Sequence, residues 1–370
     1  MKNKEKRIIL VHFYQPGSAA TNRMIAYAKS FCELGNKVTL VLECDREMAL
    51  PELNGIDIKV VIAPYHSILV LKVAKLVRAI YDNNSIILVY GSPLLCLFLT
   101  KHRYNIFFEC TEVPFYGKNK GLIKKLKECI KLIMAKRASG MIVISKALKD
   151  YFSQRGVRNT VVVNMFVDAS RFDIDVKAAE KPYVAYCGTV SPFKDGVDCL
   201  IMAFASFLKS NSDYQLKIIG KFENDESGKI VRNLAEKLGI SEHVDFTGIV
   251  SPSEMPSLLK DAAMLALARP NNRQARFGFP TKLGEYLATG NPVVVTDVGE
   301  IGDFLHDSVN CRMAIPGDVD DFAEKMSWVA AHPDEAKAIG MKGKELTRNE
   351  FSSFVQSRKA LDFMAAIIQN

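Results

Sequence analysis

The sequence predicts an α/β protein built as two doubly wound, Rossmann-like domains, and three observations predict it. Short β-branched runs alternate with helical patterns along most of the chain, the grammar of parallel strands joined by helical crossovers. That grammar breaks once, in the polar, aperiodic stretch FVDASRFDIDVKAAEKP, and then starts again. With 370 residues, 48% of them hydrophobic, the chain is too long for one ordinary core and apolar enough for two.

In the first half the strands are RIILVHF, KVTLVL, IDIKVVI, SIILVY, NIFFEC and GMIVIS, with amphipathic helices between most of them. The opening MKNKEKRIILVHFY is basic and then apolar, but the apolar run is short and ends in Tyr-Gln-Pro-Gly without a small-residue cleavage site, so it reads as a first strand. The run SIILVYGSPLLCLFLT is interrupted by Gly91, Ser92 and Pro93; Ser92 caps the next helix and Pro93 takes its first position, and no transmembrane segment is expected. Right-handed crossovers then give a mostly parallel sheet with helices on both faces.

The second half repeats the pattern with YVAYCG, a helix from Val197, YQLKIIG, a helix through Asn233, HVDFTG, AMLALA and PVVVTD. In SPSEMPSLLKD, Ser251 and Glu254 have capping-box spacing and Pro252 takes the first helical position. The expected boundaries are a domain at 1–166, a hinge at 167–182, a second domain at 183–350, and a final helix at 351–370 that crosses back to the first domain.

The net charge of +8 favours acidic partners such as phosphates or anionic lipid over nucleic acid. Eight cysteines, scattered between Cys32 and Cys311 without a CxxC pair, fit buried free thiols in a reducing cytoplasm. Ligands of open α/β sheets bind beyond the carboxyl ends of the strands, so two such domains face to face imply an interdomain cleft. After the first strand, a small-residue loop around Gly17 opens a helix; it is also how many ordinary βα turns look. There is no GxGxxG and no GxxxxGK[ST], which counts against nicotinamide and P-loop chemistry. In CGTVSPFKDG, Lys194 stands where a helix begins and suits a diphosphate, although a solvated surface lysine reads the same way. If Thr281 caps the next helix, the free N–H groups of Lys282, Leu283 and Gly284 invite an anion. Glu285, one turn further, accepts hydrogen bonds only and so suits a sugar diol, or it is simply a dipole-friendly first-turn residue.

On these residues the chain resembles the GT-B glycosyltransferases of retaining family 4, across nearly its whole length. YCGTVSPFKDGVDCLIMAF resembles that family's first strand and phosphate lysine, HVDFTGIVSPSEMPSLLKDAAMLALA its base-binding region with Ile249, and GFPTKLGEYLATGNPVVVTDVGE its donor signature. The resemblance implies sugar transfer from a nucleoside diphosphate sugar to a glycan or lipid-linked acceptor, as in bacterial surface polysaccharide synthesis, with retention and without a metal or other cofactor. It places the donor on Gly17, Gly188, Thr189, Lys194, Ile249, Arg269, Thr281, Lys282, Leu283 and Glu285. A nucleotide-sugar epimerase and a catalytically silent nucleotide-sugar-binding protein remain as alternatives.

Three departures stand out. Phe277 occupies the position of a family glutamate eight residues before Glu285, Thr189 that of an arginine, and Thr111 that of a histidine after NIFFEC. Arg269 is the candidate for the missing positive charge, with Arg273 and Arg276 nearby. Of the two carboxylates in FFECTEVPF, Glu109 lies within the strand as a structural group, while Glu112 either faces the chemistry or only accepts loop N–H groups in the turn before Pro114; Glu112, Lys194 and Arg269 are the catalytic candidates. Asp173–Asp175 and Asp318–Asp321 resemble an Asp-x-Asp metal motif only superficially, being a hinge and a helix start. Residues 118–137 combine a basic face with an apolar face of Leu122, Ile123, Leu126, Ile130, Ile133 and Met134. They read either as a packed crossover helix with a solvated basic face or as one that also touches anionic lipid, on a cytoplasmic protein that in the second case is peripheral to the inner face of the membrane.

Overall fold

The computed structural model describes residues 5–15, 17–44, 50, 53–63, 70–91, 95, 98–99, 104–113, 121–176 and 179–369. Pro16, the Ser92-Pro93 helix start, Lys118 and Lys120 lie outside the described residues. The chain divides into two compact units, Met1–Phe166 with Ser353–Asn370, and Val167–Ser352.

The first unit is a seven-stranded parallel sheet. Its strands are β1 (Arg7–Phe13), β2 (Lys37–Glu43), β3 (Ile58–Ala63), β4 (Ser85–Tyr90), β5 (Ile106–Cys110), β6 (Gly140–Val143) and β7 (Thr160–Val162), in the order β3-β2-β1-β4-β5-β6-β7. The helices whose bounds are described are α1 (Ala19–Glu33), α2 (Val70–Ile80), α3 (Leu122–Arg137) and α4 (Lys146–Ser153), and residues 95 and 98–99 are also helical. The central strands are buried along almost their whole length, which is why they read as unbroken apolar runs rather than alternating ones. Registry pairs His12 with Tyr90 and Tyr90 with Glu109, so the polar strand ends form a single row at the carboxyl edge.

The second unit is a six-stranded parallel sheet in the order β10-β9-β8-β11-β12-β13. Its strands are β8 (Tyr183–Cys187), β9 (Gln215–Ile219), β10 (Val244–Gly248), β11 (Met264–Leu267), β12 (Val293–Thr296) and β13 (Arg312–Ala314). Its helices are α5 (Pro192–Asp195), α6 (Val197–Leu208), α7 (Asp225–Lys237), α8 (Met255–Lys260), α9 (Arg273–Phe277), α10 (Lys282–Thr289), α11 (Val319–Ala331) and α12 (Pro333–Arg348). The last helix, α13 (Ser353–Gln369), belongs to the first unit and packs on α1 and β6.

Both sheets are doubly wound, as the alternating grammar predicts. The short strands β7 and β13 escape it, since three residues are too few to display a period. Within the stretch expected to be a hinge, which clusters with the second unit, Asp168 caps a 3-10 turn over Ala169–Phe172, whose Phe172 is fully buried. Cys110 and Cys311 are buried as expected, whereas Cys129 is exposed and Cys32, Cys44, Cys187 and Cys199 are half-buried. Asp318 caps α11, accepting the N–H groups of Asp320 and Asp321. No helix among the described residues is long and apolar enough to cross a membrane.

Candidate functional site

At the carboxyl edge of the second sheet the chain leaves β8 through Gly188 (φ 151°) and enters α6 through Gly196 (φ 66°). A Cβ at Gly196 would collide with the Ala268 carbonyl, and one at Gly188 would meet the end of the flexible Lys282 side chain, so the close approach demands glycine at Gly196 and the backbone angle favours it at Gly188. Between them Ser191 accepts the Lys194 N–H at 3.2 Å and Pro192 takes the first position of α5. This single turn leaves Lys194 half-buried at the edge and turns Asp195 inward.

Asp195 Oδ2 lies 2.5 Å from Lys282 Nζ and 2.9 Å from Tyr186 Oη, and its Oδ1 lies 3.9 Å from Arg269 Nε. Burial opposes ionisation of Asp195, but the charges of Lys282 and Arg269 outweigh it and hold the carboxyl below its ordinary range. Burial also lowers Lys282, against the attraction of Asp195. The cluster is therefore an ion triad with cationic excess, and Lys194 stands beside it. Arg269, expected to reach a ligand directly, is buried with its guanidinium turned to Asp195.

Glu285 takes a different partner. Its Oε1 accepts from Arg171 Nη1 at 2.9 Å, and the two side chains keep 18% and 24% exposure. Burial raises the Glu285 carboxyl, and Arg171 and Lys282 oppose that rise. The neighbouring Tyr286 hydroxyl meets the Cys187 N–H at 2.6 Å, which pins α10 to the end of β8. Burial and then the Glu285 charge push the Cys187 thiol up to about 12, so it stays protonated there.

Thr281 does not cap α10. Its backbone is already helical (φ −61°, ψ −30°) and its side chain makes no capping bond. The N–H of Leu283 donates to the Pro280 carbonyl at 3.0 Å and that of Gly284 to the Thr281 carbonyl at 3.2 Å. A tight 3-10 start set by Pro280 thus uses two of the N–H groups expected to be free for an anion. What α10 offers the edge is the Lys282 and Glu285 side chains.

The remaining expected donor residues spread along the same edge. The Thr189 carbonyl lies 2.8 Å from Tyr186 Oη, and Ile249 is exposed just after β10. Arg273 and Arg276 are exposed on α9, with the Arg273 guanidinium 5.7 Å from the centre of the half-buried Phe277 ring. The sequence reading missed Tyr186, Asp195 and Arg171. Asp195 adjoins Lys194 and was legible as a second charge in the same turn; Arg171 was hidden in the stretch taken for a hinge.

In the first unit, Gly17 (φ 66°) precedes Ser18, which caps α1. Glu109 points inward to α1, where Arg23 Nε donates to it at 2.7 Å. Glu112 is exposed beyond the strand, and its carbonyl accepts from the Cys110 thiol. Tyr90 Oη lies 2.7 Å from Thr111 Oγ1, so the threonine closes the polar row of strand ends.

Residues 181–332, which contain this second-unit edge apart from Arg171, match the family model of Glycosyl transferases group 1. The chain is 25% identical over 208 residues to an uncharacterized glycosyltransferase of Methanocaldococcus jannaschii, covering 56% of this chain and 54% of that protein. It is likewise 25% identical over 210 residues to the GDP-mannose-dependent alpha-(1-6)-phosphatidylinositol monomannoside mannosyltransferase of Mycobacterium tuberculosis, covering 54% of each. The chain spans about half the length of these curated relatives. Among solved structures, a glycosyltransferase of Rickettsia africae superposes with a TM-score of 0.76 at 17% identity over 99% of both chains. Anabaena HepE in complex with UDP-glucose gives 0.76 at 18% identity over 98% of this chain and 100% of that one. Residues 181–332 are thus similar to the Glycosyl transferases group 1 family, in a chain whose two Rossmann-like sheets share the fold of the solved glycosyltransferases.

Proposed function

We propose that the chain is a glycosyltransferase that moves a sugar from a nucleoside diphosphate sugar to a glycan or lipid-linked acceptor, in the synthesis of a bacterial surface polysaccharide. The observation that carries this reading is one strand edge that joins a glycine turn lined by Lys194 and Lys282 to a solvent-reachable carboxylate, Glu285. The diphosphate suits the two lysines, the ribose diol suits Glu285, and the exposed Ile249 suits the face of a base. The solved Anabaena neighbour, which holds UDP-glucose, supports the donor class.

In this reading bond cleavage leaves negative charge on the departing diphosphate, and the ammonium groups of Lys194 and Lys282 are preorganised for it, with Asp195 fixing Lys282. Those charges supply what a divalent cation supplies elsewhere, so the reaction needs no metal. Glu112, exposed at the end of β5, holds or deprotonates the acceptor hydroxyl. Retention of configuration and membership of family 4 belong to the same reading.

The test is incubation of the protein with a panel of nucleoside diphosphate sugars, in EDTA, with and without lipid and glycan acceptors, while free nucleoside diphosphate is measured. Acceptor-dependent release that survives EDTA is expected, and Glu112→Gln should lower it by about a hundredfold, the usual scale for a positioned acid or base. Conversion of the donor without an acceptor would point to an epimerase, and binding without turnover to a silent partner; either result overturns the proposal.

A further inference from the structure

Helix α3 buries only part of its apolar surface and leaves an apolar stripe in solvent. Leu122 is 84% exposed, Leu126 61% and Ile133 44%, and Cys129 is exposed between them. These positions follow a spacing of four, three and four and so share one side of the helix. The buried positions include Met134, Ala135 and, against expectation, Glu128, whose Oε1 lies 3.3 Å from Lys131 Nζ. The Glu128 and Lys131 charges both act on the buried Cys110 thiol, which places that polar pair on the side facing β5. A carboxylate has gone inward while leucines face water, the reverse of the arrangement that burial energetics favour.

The helix is also strongly basic. Its sequence LIKKLKECIKLIMAKR carries Lys124, Lys125, Lys127, Lys131, Lys136 and Arg137 against the single carboxylate of Glu128. Because α3 follows β5, its first turn lies at the carboxyl edge of the first sheet, and apolar exposure is greatest at that end. Right-handed crossovers put α2 on the same sheet face, and α2 exposes Leu71, Lys72 and Lys75 there.

We propose that α3 is a membrane-docking helix whose stripe of Leu122, Leu126, Cys129 and Ile133 enters the headgroup region of an anionic bilayer while Lys136 and Arg137, exposed in its last turn, hold lipid charges. An apolar stripe on a cationic helix is what such an interface binds. A second copy of the chain is the poorer occupant, because a two-fold contact would set this basic helix against itself. The inference does not depend on which group the chain transfers.

The experiment is co-sedimentation of the full chain with phosphatidylcholine vesicles and with vesicles containing phosphatidylglycerol, at low and high salt. Binding to the anionic vesicles is expected to be at least about tenfold tighter than to the neutral ones and to weaken with salt. The double variant Leu122→Gln, Leu126→Gln should bind about tenfold more weakly with an unchanged Tm, since both side chains already face solvent. Equal pelleting with both vesicle types, or a double variant that binds like the parent, overturns the proposal. So does a dimer abolished by the double variant in a protein that stays in the supernatant with either vesicle.

Discussion

In the first unit the carboxyl edge of the sheet holds Arg23 against Glu109 at 2.7 Å, and in the second the corresponding edge holds Arg171 against Glu285 at 2.9 Å. In both pairs burial raises the carboxyl and the arginine opposes it. The pairs differ in what surrounds them. Arg23 and Glu109 are 3% and 0% exposed, and the remaining Arg23 donors go to the Asn164 and Val163 carbonyls and the Tyr27 hydroxyl. Those bonds tie α1 to β5 and to the segment after β7, so the pair is part of the fold. Arg171 and Glu285 remain open to water, and exchanging one hydrogen-bond partner for another there costs little. The same two kinds of side chain thus serve as a staple where the arginine is held in the core by a carboxylate, a hydroxyl and two backbone carbonyls, and as a receptor where solvent can compete.

The largest expected effect tests that distinction through stability. Glu109→Ala strands the Arg23 charge in the core and should lower unfolding free energy by about 3–5 kcal/mol, whereas Glu285→Ala should cost less than about 1 kcal/mol. Urea titrations of the two variants measure both, and similar losses would erase the contrast.

A pH titration sharpens it. Thr21 Oγ1 accepts from the Gln15 N–H and from the Ser18 hydroxyl, so its own hydrogen goes to His12 Nε2, 3.0 Å away, which requires an unprotonated nitrogen there. Burial pushes His12 down to about 4, opposed by a backbone hydrogen bond at Tyr90. The unfolded chain, with an ordinary histidine near 6.5, binds the proton first, so stability falls as pH drops from about 6.5 to about 4. The slope is about 1.4 kcal/mol per pH unit and the total about 3 kcal/mol. Asp195 has a depressed folded value, so its contribution is lost only below the ordinary carboxylate range, beneath the His12 window. His12→Gln should flatten the acid limb between pH 6.5 and 4, and an unchanged limb in the variant would remove His12 from this role.

Much of the fold was legible because it rests on local periodicity. RIILVHF and SIILVY are strands β1 and β4 to the residue, and most other strands lie within one or two residues of the expected runs. The illegible parts depend on long-range contacts. Arg171 reaches Glu285 across 114 positions of sequence, and nothing in SRFD announces it. The inward turn of Glu128 is hidden for the same reason: the helical pattern of α3 shows an apolar stripe but not which stripe the sheet takes. The failed cap at Thr281 was a local misreading, because Thr followed by a helical run looks like a cap until Pro280 fixes the turn before it.

The smallest expected effect separates the two kinds of charge within the second edge. In the proposed reaction Glu285 contacts ribose hydroxyls, which are the same in substrate, transition state and product. Lys194 faces the phosphate, where charge grows only as the glycosidic bond breaks. Uniform contacts appear in KM, and contacts that strengthen in the transition state appear in kcat. Glu285→Ala should therefore raise donor KM by about tenfold, the loss of one or two charge-assisted hydrogen bonds less the ion pair with Arg171 that must first be given up. Its kcat should stay close to that of the parent, while Lys194→Ala should lower kcat and leave KM nearly unchanged. Arg171→Gln carries the argument furthest, since it frees Glu285 without touching the ligand. A donor KM that falls or holds steady in that variant fits a carboxylate held in reserve for the ribose. A rise as large as that of Glu285→Ala would mean that Arg171 positions the carboxylate for binding, and the open pair of the second edge would then be as much a fixture as the buried pair of the first.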